Sequence, residues 1–166
     1  MIMITKQDFL EELNEEVPAT RKMLERVPFD KSDFAPSPKS MPLGRLAFTV
    51  SGMPGWIVGI VSDDHIDLAT YKMPPQPKNV NEILALFDDG VKAAQSALAA
   101  MDDKTLPDKW ELRMKDKVLM ASTRGVTLRQ TINHLVHHRA QLGVYFKMNG
   151  IPHPAVYGAS GDEGWQ

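Results

Sequence analysis

The residues best equipped for chemistry lie in one stretch, 130–145, which reads QTINHLVHHRAQLGVY. At about 100° per residue, Gln130, His134, His137, His138, Gln141 and Tyr145 fall within roughly 100° of one another around a helix and form a single polar stripe. His134 and His138 are four residues apart. That spacing sets two imidazoles one turn above each other and lets both reach a single Zn²⁺, Ni²⁺ or Fe²⁺ ion. Two ligands from one helix hold a metal poorly, so a catalytic site needs a third from another element and an open position for water or substrate. His65 and His153 are the remaining histidines, and neither is an obvious third ligand. The same spacing also suits a plain hydrogen-bonded pair, with His137 as a hydrogen-bonding neighbour and Gln141 and Tyr145 as interface polar groups.

Few other site types are open to this chain. There is no G-x-S-x-G, no glycine-rich phosphate loop after a strand and no H-E-x-x-H. Because it contains zero cysteines, disulfides, thiolate metal sites and a cysteine nucleophile are excluded. Catalysis must then come from His, carboxylate, Ser/Thr or Lys.

The elements that position the stripe follow from apolar spacing. Phe9, Leu10, Leu13, Val17, Met23 and Leu24 recur at helical intervals and predict a helix over 5–26, with Thr5 as its N-cap. Pro18 predicts a kink or a division into two segments. Glu11, Glu12, Glu15 and Glu16 lie off the apolar stripe and read as a solvated face. After a connection over 28–42, a second helix is expected over 42–61, bent near Gly52, Pro54 and Gly55. A proline-rich loop over 71–78 leads to a third helix over 79–101, capped by Asn79 or Asn81. Alternation around Lys115-Asp116-Lys117 predicts a short β-hairpin or an extended segment. The last helix is expected over 126–149, opened by Thr127 and stopped by Gly150 and Pro152, with a Pro/Gly-rich tail over 151–166. Four amphipathic stripes are best satisfied by packing together, which makes the chain an all-α four-helix bundle in one domain, 1–166. Trp56 and Trp110 read as packing residues, and the ten methionines as adaptable core filler.

The chain has 166 residues, 19 basic and 21 acidic, for a net charge of −2. The basic residues are dispersed, so no stripe can neutralise several phosphates and no nucleic-acid partner is expected. The N-terminus turns acidic after four apolar residues, unlike a signal peptide. No stretch approaches the ~20 apolar residues of a membrane span. The longest weakly polar run, 46–61, is interrupted by Ser51, Gly52, Pro54 and Gly55, so no membrane partner is expected and a cytoplasmic protein is.

One family shares these residues in this order. The run from His134 through His138, Arg139, Gln141 and Leu142 to Tyr145, then Asn149-Gly150-Ile-Pro152 and Pro154-Ala-Val-Tyr157-Gly158, resembles the C-terminal signature of the DinB/YfiT-like superfamily of metal-dependent enzymes. Leu43-Gly-Arg-Leu46-Ala47, leading to Pro54-Gly55-Trp56, is similar to that family's second-helix motif. The similarity spans nearly the whole chain and is strongest over 127–158. It implies an up-down-down-up four-helix bundle, commonly a homodimer, with a divalent metal held by three histidines, one on the second helix and two on the fourth. The last two map onto His134 and His138. The first maps onto Thr49, where the family usually has histidine.

A threonine hydroxyl is a poor ligand for these metals, and losing one His–metal bond should cost several of the ~10 or more kcal/mol typical of a structural zinc site. The resemblance therefore implies a Zn, Ni or Fe ion that is weakly bound or absent. Known activities in the superfamily, thiol-dependent transfer and isomerisation, imply a transferase or hydrolase acting on a small molecule. In that scheme His134 and His138 hold the metal, His137 or Gln141 orients substrate or water, and Thr49 and Tyr145 line the pocket. The alternative is a metal-free dimeric binding module of the same fold.

Overall fold

The computed structural model describes residues 4–165. It contains four α-helices and a small three-stranded sheet. Helix α1 spans Lys6–Glu25. The Thr5 N–H and hydroxyl both donate to Asp8 Oδ2, at 2.7 and 2.8 Å, tying the chain back where the helix starts. Of the two outcomes open at Pro18, division is not the one taken: α1 runs on through it. Phe9 and Leu13 before the proline, and Met23 and Leu24 after it, are buried on the same stripe, and that burial holds both halves in one helix.

Helix α2, Leu43–Ser62, likewise continues through Pro54. Contrary to the expectation from the sequence, it is long and apolar enough, by length and composition, to cross a membrane. Its apolar residues instead meet protein, Leu43, Leu46, Val50, Ile57 and Ile60 being buried in the core. A Cβ added to Gly90 would lie 3.4 Å from the Gly55 backbone nitrogen, so the glycines let α2 and the third helix approach closely. That helix, α3, spans Val80–Ala100 and is capped by Asn79, whose side chain accepts from the Glu82 N–H at 2.9 Å.

The predicted hairpin is present and carries a third strand. Strand β1, His65–Asp67, pairs in parallel with β2, Lys109–Met114, which pairs antiparallel with β3, Lys117–Thr123. The hairpin turn places Lys115 at φ 53, and its N–H donates to Asp67 Oδ1 at 2.9 Å, so β1 braces the turn as well as the strand. This is the external support that an isolated hairpin requires.

Helix α4, Arg124–Met148, begins two residues before its predicted start, because Thr123 both ends β3 and caps the helix through its hydroxyl, which accepts from the Val126 N–H at 3.3 Å. The buried Arg124 then donates to the carbonyls of Ile60, Val61 and Asp63, satisfying acceptors that the end of α2 leaves open. Helices α1 and α2 each pack along both α3 and α4. Two apolar clusters fill the interior. One lies around Met23, Leu46, Phe87, Leu135 and Phe146, and the other around Phe9, Ile60, Leu98, Trp110 and Leu128.

Candidate functional site

Leu128, Ile132, Leu135, Leu142 and Phe146 bury one side of α4 and thereby fix which way the helix faces. The histidine stripe is left at the edge of that buried side. His134 and His138 have ring centroids 4.4 Å apart, and His137 lies 5.1 Å from His138 and 6.4 Å from His134. Gln141 joins this group: His138 Nδ1 lies 2.8 Å from its Oε1, and its Nε2 lies 3.1 Å from His137 Nε2. With the amide in that orientation, His138 donates from Nδ1 and keeps the Nε2 lone pair free, while His137 accepts at Nε2. An imidazole oriented by a hydrogen bond at Nδ1 with its other nitrogen open is the usual preparation for a metal ligand.

His134 is exposed by area, yet partial desolvation of its ring holds the imidazole below its ordinary pKa, and the neighbouring His138 and His137 push in the same direction. The neutral, ligating form is thereby favoured. As a donor set, two imidazoles suit Zn²⁺, Ni²⁺ or Fe²⁺. They fall short of the three protein ligands that a catalytic zinc keeps. Among the described residues no group of three or more His, Asp or Glu side chains could hold an ion. The remaining histidines do not fill the gap: His65 begins β1, and His153 packs its ring on Gly143.

Thr49 is half-buried on α2, with its hydroxyl donating to the Arg45 carbonyl at 3.0 Å and Met41 Sδ 3.7 Å away. Met41 also accepts, through its carbonyl, the hydroxyl of Tyr145 at 2.9 Å. Tyr145 is buried, edge-on to Phe34 with ring centroids 5.9 Å apart. Thr49 and Tyr145 thus meet at one residue, Met41, and Tyr145 lies two turns along the stripe from His138. Thr49 borders a cavity of about 410 Å³ against α3 and the segment around Tyr71. His134 borders a second, of about 390 Å³, between α2, the sheet and α4. Met53 and Trp56 line both, and both volumes lie in the range of small-molecule sites.

The structure also overturns one reading of the acidic helix. Glu16 does not belong to the solvated face: it is buried and forms an ion pair with Arg139, itself only 3% exposed. Arg139 also donates to Thr20 Oγ1 at 3.0 Å and to the Tyr157 hydroxyl at 2.7 Å, and that hydroxyl donates to the Glu16 carboxylate. The reason is geometric. Glu16 lies in phase with buried Leu13, Thr20 and Met23, so a partner on α4 satisfies its charge where water cannot. The same cluster ties the C-terminal tail to α1 and α4 through the hydroxyl of the otherwise exposed Tyr157, and Arg26 adds an ion pair to Glu163.

Comparison with known proteins agrees with this architecture. A DinB-like protein from Bacillus subtilis superposes with a TM-score of 0.70 at 13% identity, over 90% of this chain and 96% of that one. A DinB-like protein from Bacillus cereus ATCC 10987 superposes with a TM-score of 0.68 at 23% identity, over 91% and 97%. At such identities the likeness is one of fold. None of the curated proteins matches the chain. The sequence model of the DinB family matches residues 3–164, essentially the whole length, and the chain belongs to the DinB family.

Proposed function

We propose that this chain is a metal-dependent enzyme of the thiol-transferase or hydrolase type, built on an up-down-down-up four-helix bundle and carrying an incomplete histidine triad. His134 and His138 would hold a divalent Zn, Ni or Fe ion weakly, with Thr49 standing where the family has its third imidazole. Bound there, such an ion would lower the pKa of a thiol or water and polarise a substrate oxygen. The chain's own residues supply the rest. Gln141 fixes the tautomer of His138, His137 and Gln141 present polar groups to substrate or water, and Tyr145 anchors α4 to Met41. The observation that carries this reading is the His138 Nδ1 to Gln141 Oε1 hydrogen bond at 2.8 Å, because it leaves the Nε2 lone pair of His138, beside the exposed His134, uncommitted. A homodimer is part of the proposal by family resemblance.

A second reading, a metal-free dimeric binding module, has its own support in the Thr49 hydroxyl, which is turned to the Arg45 carbonyl. Zinc titration calorimetry on the dialysed chain separates the two. The enzyme reading expects saturable binding that His138→Ala abolishes and Thr49→His strengthens by about tenfold or more. Heat indistinguishable from dilution in the wild type, with binding restored only in Thr49→His, would leave the binding module, and none in either would refute the mapping of Thr49 onto the third ligand.

A further inference from the structure

Helix α4 presents an outward face that is left open to solvent along its whole length. Between 126 and 148 its exposed positions carry a single charge, Lys147, in a chain that is 24% charged. Val126, Gln130, His137, Gln141, Val144 and Met148 fall within about 40° of one line along the helix. Three of them are large apolar side chains at the surface, Val126 at 46%, Val144 at 57% and Met148 at 56% exposure. A helix face that only met water would carry charges opposite its buried stripe. Apolar and amide groups without charge are instead the composition of a protein interface.

We infer that this face binds α4 of a second copy of the chain, antiparallel, about a two-fold axis at His137. The order of residues is self-complementary in that arrangement. It sets Val126 against the partner's Met148, Gln130 against the partner's Val144 and Asn133 against the partner's Gln141, while His137 meets its own counterpart. Apolar groups meet at both ends, amides meet on either side of the centre, and no like charges are opposed. Parallel packing would instead set Lys147 beside the partner's Lys147. From Val126 to Met148 the helix runs about 33 Å, and a strip about 10 Å wide on each copy makes a contact on the order of 700 Å² in all. That is below the ~1,200 Å² of stable complexes and fits a reversible, micromolar dimer. His137, at the seam, lies 5.1 Å from His138, so the partner's helix flanks the histidine group. The inference rests on the functional reading only in making this dimer part of that site. The association itself requires no metal.

The test uses the full, chelator-treated chain. Sedimentation equilibrium should show a reversible dimer with a Kd of roughly 1–100 µM. Val144→Glu puts two carboxylates into the seam and should weaken that dimer at least about tenfold. Met73→Glu, at a side chain 50% exposed on the loop before α3, should leave it unchanged. Orientation is read by disulfide trapping, for which the chain offers a background without cysteine. Gln130→Cys and Val144→Cys chains, mixed and oxidised with diamide, should cross-link to each other faster than either does to itself. Both positions are exposed, so these variants keep the fold, which circular dichroism checks. A monomer at every concentration up to about 200 µM would overturn the inference and leave the face to a different partner. A dimer that Val144→Glu leaves intact, or self-linking of either cysteine variant that outpaces mixed linking, would overturn it as well. Because no metal is present, its failure is distinguishable from failure of the zinc titration.

Discussion

Glu16→Ala is the substitution whose cost follows most directly from the structure. The guanidinium of Arg139, 3% exposed, is held by the Glu16 carboxylate, the Glu16 carbonyl at 3.2 Å, Thr20 Oγ1 at 3.0 Å and the Tyr157 hydroxyl at 2.7 Å. Removing the carboxylate leaves three neutral acceptors around a buried cation and deprives the Tyr157 hydroxyl of its own acceptor. Breaking a buried pair from one side costs about 3–5 kcal/mol. For a chain of this length about 1 kcal/mol corresponds to 2–4 °C, so Tm should fall by roughly 6–20 °C. Thermal and urea denaturation followed by circular dichroism measure it. Glu15→Ala, one residue away and exposed, serves as control and should stay within about 0.5 kcal/mol of wild type. The double substitution Glu16→Leu with Arg139→Met removes both charges, and it should cost far less than the sum of the single changes. If Glu16→Ala costs under about 1 kcal/mol, or the double change costs the full sum, the buried-pair reasoning is refuted.

Three other predictions concern the tail and the stripe. A Cβ on Gly143 would lie 2.4 Å from His153 Nε2, so Gly143→Ala should lift the tail and cost about 1–3 kcal/mol, seen as faster proteolysis after residue 150; unchanged cleavage would contradict it. His134 titrates below its unfolded value of about 6.5, so the unfolded chain binds the extra proton first. Its contribution to stability is full above that value and is lost as pH falls towards the folded pKa, and urea midpoints should show this slope reduced in His134→Asn. Partial desolvation of its hydroxyl raises the Tyr157 pKa, although the ring is exposed, with its hydrogen bond to Glu16 acting in the same direction. The stability it confers is present below about pH 10 and lost as pH rises through the folded value, a loss that Tyr157→Phe should abolish.

Much of this was legible in the sequence because it is local. The helices declare themselves through apolar spacing and caps such as Asn79, and the histidine group belongs to a single helix, so its spacing alone brings the rings together. What depends on distant partners was not legible. Strand β1 has three residues, too few for an alternating pattern, and takes its register from β2 more than forty positions away. Glu16 reads as solvated because its charge outweighs its phase. Arg139 sits four residues after Leu135 and three before Leu142, the signal that could have placed it inside. The overlap of β3 with the α4 cap at Thr123 starts that helix two residues before the position the apolar spacing marks.

The central claim, a two-histidine site waiting for a third donor, is tested most directly by elemental analysis of the purified chain after soaking in Zn²⁺ or Ni²⁺ and desalting. The account predicts partial occupancy for wild type, close to one ion per chain for Thr49→His, and none for His138→Ala. Less than about 0.1 ion per chain in Thr49→His would contradict it, because a third imidazole at the mapped position should then have completed the site.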